Sequence, residues 1–166
     1  MLFRVAILTV SDRGSRGERP EDLSAAAARE ALAPLDHTLA AYTVVPDERD
    51  AIAAQLRAWA DSGAIDLILT TGGTGLAPSD ATPEQTKPLL DKEIPQLAAE
   101  LARHGVEAGV PTAVLSRGLA GLAGQTLIVN LPGSLGGAAD GMTVLGPLLP
   151  HAVAQLRGGD HRRLGH

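Results

Sequence analysis

Residues 70 to 86, TTGGTGLAPSDATPEQT, set three glycines and five threonines around a single aspartate, Asp80. A glycine-rich loop between an apolar run and a helical segment suits an anion, because glycine lets backbone N–H groups approach it and a helix start adds positive potential. The competing reading is a tight turn that needs glycine for its dihedrals. The loop lacks the Lys-Ser/Thr of a P-loop and the last glycine of the dinucleotide fingerprint. No G-x-S-x-G surrounds Ser15, Ser116 or Ser134, so a nucleophile elbow is excluded.

A second aspartate, Asp47 in VVPDERD, stands at another strand-to-helix junction. Either aspartate alone reads as a helix-start residue favoured by the macrodipole, Asp47 as an N-cap after Pro46 and Asp80 as the neighbour of a capping Thr82. As a pair they can hold Mg2+, which takes one or two carboxylates together with substrate phosphates. Arg13, Arg16 and Arg117 lie near the same edge and are candidate phosphate contacts, against the commoner role of a solvated surface arginine. The histidines offer no pair at metal-ligand spacing, which argues against zinc, and His104 before Gly105 reads as a helix end. With no cysteine in the chain, any chemistry falls to oxygen, nitrogen and borrowed metals.

The elements that must carry these loops follow from hydrophobic pattern. RVAILTV (4–10), DLILTT (66–71) and QTLIVNL (125–131) are continuous apolar runs, as expected of strands buried on both faces of a parallel sheet. Between them, DLSAAAAREALAPL and DERDAIAAQLRAWADSG read as helices. A third helical region opens at Thr82, is segmented by Pro88 and Pro95, and a last one is interrupted by Pro147 and Pro150. The alternation predicts an α/β fold, a three-layer sandwich with a mostly parallel sheet and helices on both faces. Ligands of such folds bind at the carboxyl ends of strands. The loops SDRGSRG (11–17), TGGTGLAPSD (71–80) and NLPGSLGG (130–137) all follow apolar strands, and are expected to meet in one crevice.

Composition narrows the partners. The 166 residues, 45% of them hydrophobic, suit one domain with a real core, drawn as 1–160 with a short polar tail at 161–166. A net charge of −5 and only three aromatics, Phe3, Tyr42 and Trp59, argue against nucleic acid. No apolar run is long enough to span a bilayer, and MLFRVAILTVSD lacks a basic leader, so a cytoplasmic location away from membranes is expected.

Five blocks, LTVSDRGSRG, VVPDE, DLILTTGGTGLAPSDATPE, PTAVLSRGLAGLAGQTLIVNLPGS and LLPHAVAQLRGGDH, span nearly all of residues 4–161. Their order and spacing resemble the molybdopterin adenylyltransferase family of MogA and MoaB type, which includes the gephyrin G domain. The resemblance implies a cytosolic homotrimer that uses ATP and Mg2+ to transfer AMP to the terminal phosphate of molybdopterin, releasing pyrophosphate, and that can contact other molybdenum cofactor assembly proteins. It implies that Asp47 and Asp80 are the catalytic, Mg2+-positioning carboxylates. The substrate contacts it implies are Ser11, Asp12, Thr71, Gly72, Gly73, Thr74, Gly75, Ser116, Asn130, Pro132, Gly133 and Ser134. Ser79 and Ala123 stand where the family usually has arginine, Gln96 replaces a glycine, Ala25 replaces another, and the first loop is one residue longer. A non-catalytic molybdopterin carrier or scaffold of the same fold is the alternative. Retention of both carboxylates favours the enzyme, since a pure binder of phosphate would find them repulsive without metal.

Overall fold

Every residue of Leu67–Thr71 and Thr126–Leu131 is buried, as is nearly all of Phe3–Val10, so the three continuous apolar runs form the middle of a sheet. The computed structural model describes residues 2–19 and 21–159; the polar tail expected at 161–166 lies outside them. In chain order the elements are β1 (Phe3–Val10), α1 (Asp12–Ser15), α2 (Leu23–Leu32), β2 (His37–Val45), α3 (Arg49–Asp61), β3 (Leu67–Thr71), α4 (Thr82–Thr86), β4 (Lys92–Glu93), α5 (Pro95–Glu107), β5 (Ala120–Ala123), β6 (Thr126–Leu131), α6 (Leu135–Leu145) and α7 (Leu149–Leu156). The sheet runs β2-β1-β3-β6-β5-β4, parallel from β2 to β6 and antiparallel at β5 and β4. Successive strand residues point to opposite faces. Val5, Ile7, Leu67 and Val129 therefore pack against α2, α6 and α7, while Ala6, Leu8, Ile68 and Ile128 pack with Ile52 and Leu56 of α3. The result is the three-layer α/β sandwich that the alternation predicts. No helix among the described residues is long and apolar enough to cross a membrane.

Several local expectations need correction. β2 escaped the apolar-run criterion because it is an edge strand with alternating exposure. Thr82 is the first residue of α4 rather than its cap; Ala81 holds the cap position, and the Thr82 hydroxyl donates instead to the Gly72 carbonyl at 2.9 Å. Asp47 precedes α3 by two residues, with Glu48 at its N-cap. His104 lies in the last turn of α5 as expected, but Gly105 does not end the helix, which runs on to Glu107; an added Cβ on Gly105 would stand 2.7 Å from that of Ala113.

The edge of the sheet opposite the loops is pinned by charge. Buried Asp66 accepts from the Arg4 backbone N–H at 2.7 Å, from its guanidinium at 3.0 Å twice, and from Arg157 of the closing segment at 2.8 Å. Burial alone pushes the Asp66 carboxyl up, but the arginines overcome it and hold it at about 2. Asp66→Asn is expected to cost roughly 1–3 kcal/mol at pH 7, the range for hydrogen bonds to charged groups, since both half-exposed arginines can turn to solvent. The folded-state pKa lies below the unfolded one, so this stability is complete above about pH 4 and is lost as pH falls towards 2. Urea melts of wild type and variant should converge over that window.

Candidate active site

Strand order reverses between β1 and β3: the chain moves outward from β1 to β2, then returns to place β3 on the other side. Loops on either side of such a switch point diverge and leave a crevice. The predicted loops do meet there. A Cβ on Gly72 would lie 2.4 Å from the Val10 carbonyl oxygen, and one on Gly133 would lie 3.0 Å from the Gly72 Cα. The ends of β1, β3 and β6 therefore touch through glycine backbone where no side chain fits.

The conformation of the glycine loop is set from outside it. Four consecutive carbonyls are each engaged: Gly72 O by the Thr82 hydroxyl, Gly73 O by the Thr82 N–H, Thr74 O by the Arg117 N–H and Gly75 O by Arg117 Nε. Arg117 also donates to the Asp80 carbonyl at 3.0 Å and to the Glu84 carboxylate. It is thus a strut that fixes the peptide planes, not the free phosphate contact its position in the sequence suggests. Arg13 and Arg16 are likewise drawn to one carboxylate, Glu18, at 4.0 and 2.8 Å.

The aspartates converge from three loops. Asp12 Oδ1 accepts the Asp47 backbone N–H at 2.8 Å, tying the loop after β1 to the loop after β2. Asp80 Oδ2 accepts from the Ala77 N–H at 3.0 Å and lies where a Cβ on Gly75 would come within 2.7 Å. Asp47 Oδ1 is enclosed and has no hydrogen-bond partner. Its carboxyl is pushed up, first by burial and then by the charges of Asp12 and Asp80. Replacing it by asparagine removes that repulsion. Asp47→Asn is expected to raise the thermal midpoint of the ligand-free protein by roughly 1–4 °C, the equivalent of about 0.5–1 kcal/mol in a chain of this size, as read by calorimetry.

The remaining sequence-predicted residues divide between two cavities. Ser11, Asp47, Thr71 and Gly133 line one of about 250 Å3, joined by Thr9, Ser24 and Arg19. Ser116, Asn130, Pro132 and Ser134 line another of about 390 Å3 under α5 and α6, with Asp140 at its wall. Asp12, Gly72, Gly73, Thr74, Gly75 and Asp80 line neither. Ser11 and Ser134 cap α1 and α6, accepting from the N–H groups of Gly14 and Gly137. Asn130 is committed to the framework, accepting from Leu119 N–H and donating to the hydroxyls of Thr70 and Thr86.

A hydroxyl network that sequence reasoning missed supports the smaller cavity. Asp22, the N-cap of α2, accepts from Thr9, Ser24, Tyr42 and the Ala25 N–H, and Thr71 donates to Thr9. Burial and the Asp22 charge push the Tyr42 hydroxyl up to about 12, so it remains a donor at neutral pH. The aspartate at the start of DLS was the available signal, a capping residue at a helix start.

Comparison with known proteins agrees with this fold. The family model described as a probable molybdopterin binding domain matches residues 6–151. The crystal structure of the molybdopterin biosynthesis enzyme MoaB from Thermus thermophilus superposes with a TM-score of 0.87 at 53% identity, covering 94% of this chain and 97% of that one. The molybdopterin adenylyltransferase of Helicobacter pylori J99 is 40% identical over 161 residues, 94% of this chain and 89% of that protein. The molybdenum cofactor synthesis protein cinnamon of Drosophila melanogaster is 44% identical over 149 residues. That alignment takes 89% of this chain but spans only 24% of the longer fly protein.

Proposed function

The chain belongs to the MogA and MoaB family of molybdopterin-binding domains that serve molybdenum cofactor biosynthesis, and from that premise we propose that it is a molybdopterin adenylyltransferase. In this reading ATP and the terminal phosphate of molybdopterin meet in the crevice, AMP passes to that phosphate, and pyrophosphate leaves. The observation that carries the reading is the enclosed Asp47 Oδ1, a carboxylate oxygen without a protein partner beside two further aspartates. An arrangement so costly in the free protein is relieved when a cation and phosphates arrive.

The donor set fits Mg2+. Asp47 leaves one enclosed carboxylate oxygen unpartnered, and Mg2+ takes one or two carboxylates and completes its shell with phosphate oxygens and water. Asp47 and Asp80 would hold it, and when bound it would supply the positive charge that offsets the phosphates during in-line displacement. The attacking phosphate monoester, with a second pKa near 6, is already mostly dianionic at neutral pH, so neither aspartate is needed as a base. With the carbonyls from Gly72 to Gly75 held by Thr82 and Arg117, the loop's peptide planes are fixed in advance; the Gly72 N–H is given to the Leu131 carbonyl, and those that follow it, from Gly73 to Leu76, can receive phosphate without reorganising. A single domain over 1–160, the trimeric assembly and the cytoplasmic location belong to the same proposal.

The test is pyrophosphate release from ATP and Mg2+ with and without purified molybdopterin. Release that requires molybdopterin is expected. Tight binding of molybdopterin with no pyrophosphate would replace the enzyme by the carrier, and the positions Ser79 and Ala123, where cations are missing, would be the first to examine.

A further inference from the structure

Resting on the adenylyltransferase reading, we propose that Arg19 is the cation that receives a phosphoryl group in the cavity beside Asp47. That cavity, about 250 Å3, is walled by Thr9, Ser11, Thr71 and Gly133, and among the described residues Arg19 is the only lysine or arginine lining it. Arg19 also lines the adjoining hollow of about 160 Å3, where Ser11 and Thr9 are again its neighbours. It bridges the two spaces.

Charge makes such a group necessary. Asp12, Asp47 and Asp80 converge on this end of the sheet, and a phosphate carrying two or more negative charges is repelled by them. One divalent ion offsets part of that repulsion; a guanidinium, whose fork of donors matches phosphate oxygens two at a time, offsets more and adds orientation. Arg49, at the start of α3, acts on Glu84 and does not line the cavity, and the remaining nearby arginines are engaged elsewhere. Arg117 braces the glycine loop, Arg13 and Arg16 face Glu18, and Arg29 lies over the Tyr42 ring, 4.7 Å from its centroid.

Arg19 makes no ion pair or hydrogen bond among the described residues. Two acids, Glu21 and Asp22, line the hollow with it, and neither pairs with the guanidinium; Asp22 is already engaged by Thr9, Ser24, Tyr42 and the Ala25 N–H.

The experiment is calorimetric titration of the full chain with Mg-ATP and, separately, with purified molybdopterin, for wild type, Arg19→Ala and Arg19→Lys. Arg19 is exposed, and an unchanged thermal midpoint checks that the variants fold. Arg19→Ala is expected to weaken binding of one phosphate ligand by about 10- to 100-fold, the range for a charge-assisted hydrogen bond, and to flatten the salt dependence of that affinity, while lysine restores part of both. A loss confined to Mg-ATP assigns the guanidinium to the nucleotide polyphosphate; a loss confined to molybdopterin assigns it to the pterin's terminal phosphate. Equal affinities of wild type and Arg19→Ala for both ligands overturn the proposal while leaving the adenylyltransferase reading intact. A wild type that binds neither ligand removes both.

Discussion

Asp80→Asn is expected to lower molybdopterin-dependent pyrophosphate release by on the order of 10²- to 10³-fold in a protein that folds normally, the effect of losing several kcal/mol of transition-state charge stabilisation. The structure separates the two functions of this side chain. Its Oδ2 accepts the Ala77 N–H, which an asparagine oxygen can still do, so the loop keeps its shape. The brace from Arg117 acts on the Asp80 backbone carbonyl and does not involve the carboxylate at all. What asparagine removes is the negative charge facing Asp47. If that charge positions Mg2+ on ATP, the variant should show weaker Mg-ATP binding, and higher Mg2+ should recover part of its rate. Were Asp80 a general base, turnover would vanish with Mg-ATP affinity untouched. Turnover within about threefold of wild type at saturating Mg2+ would falsify any catalytic role for Asp80.

Gly73→Ala should rank with Gly72→Ala, whose new methyl would meet the Val10 backbone carbonyl, among the most damaging single-methyl changes in the glycine loop. Gly73 has φ of +70°, and an added Cβ would stand 2.2 Å from the Thr82 Oγ1 that is itself bonded to the Gly72 carbonyl. Left-handed backbone strain of about 1–3 kcal/mol and overpacking of similar size add, giving a loss of roughly 2–5 kcal/mol. In a chain of this length that lowers the thermal midpoint by roughly 5–15 °C. Gly63→Ala is the matched control, since its φ of +67° is as strained but nothing lies within 4 Å of the new methyl. Its loss should stay near about 1 kcal/mol. Equal midpoints for the two variants would show that Thr82 yields, and that the loop is not held as tightly as its four engaged carbonyls imply.

The two experiments probe opposite sides of one arrangement. The loop is rigid because Thr82 and Arg117 hold its carbonyls, and the aspartates are unrelieved because no hydrogen bond answers Asp47 Oδ1. The engaged carbonyls hold the loop in place, whereas the unrelieved carboxylate is poor for stability. Together they are what a site prepared for phosphates and a divalent ion requires, which is why Asp47→Asn is expected to gain stability where Asp80→Asn loses rate.

What the amino-acid sequence determined by itself was local. β1, β3 and β6 are buried on both faces, so each appears as an unbroken apolar run, and the glycine loop and Asp80 stand at the junction that β3 defines. β2 and the short β4 and β5 were not legible, because an edge strand with one wet face or two to four residues leaves no such run. Only the tertiary structure decided the sheet order, and with it which loops share a crevice. It turned Arg117 from a phosphate contact into a brace on residues as far as 42 positions away, bound Asp12 to an N–H 35 positions on, and set Arg19 alone of the described lysines and arginines against the cavity. The physical reason is that periodicity records which face of an element is buried, whereas hydrogen bonds between distant loops depend on strand adjacency, which no local pattern encodes.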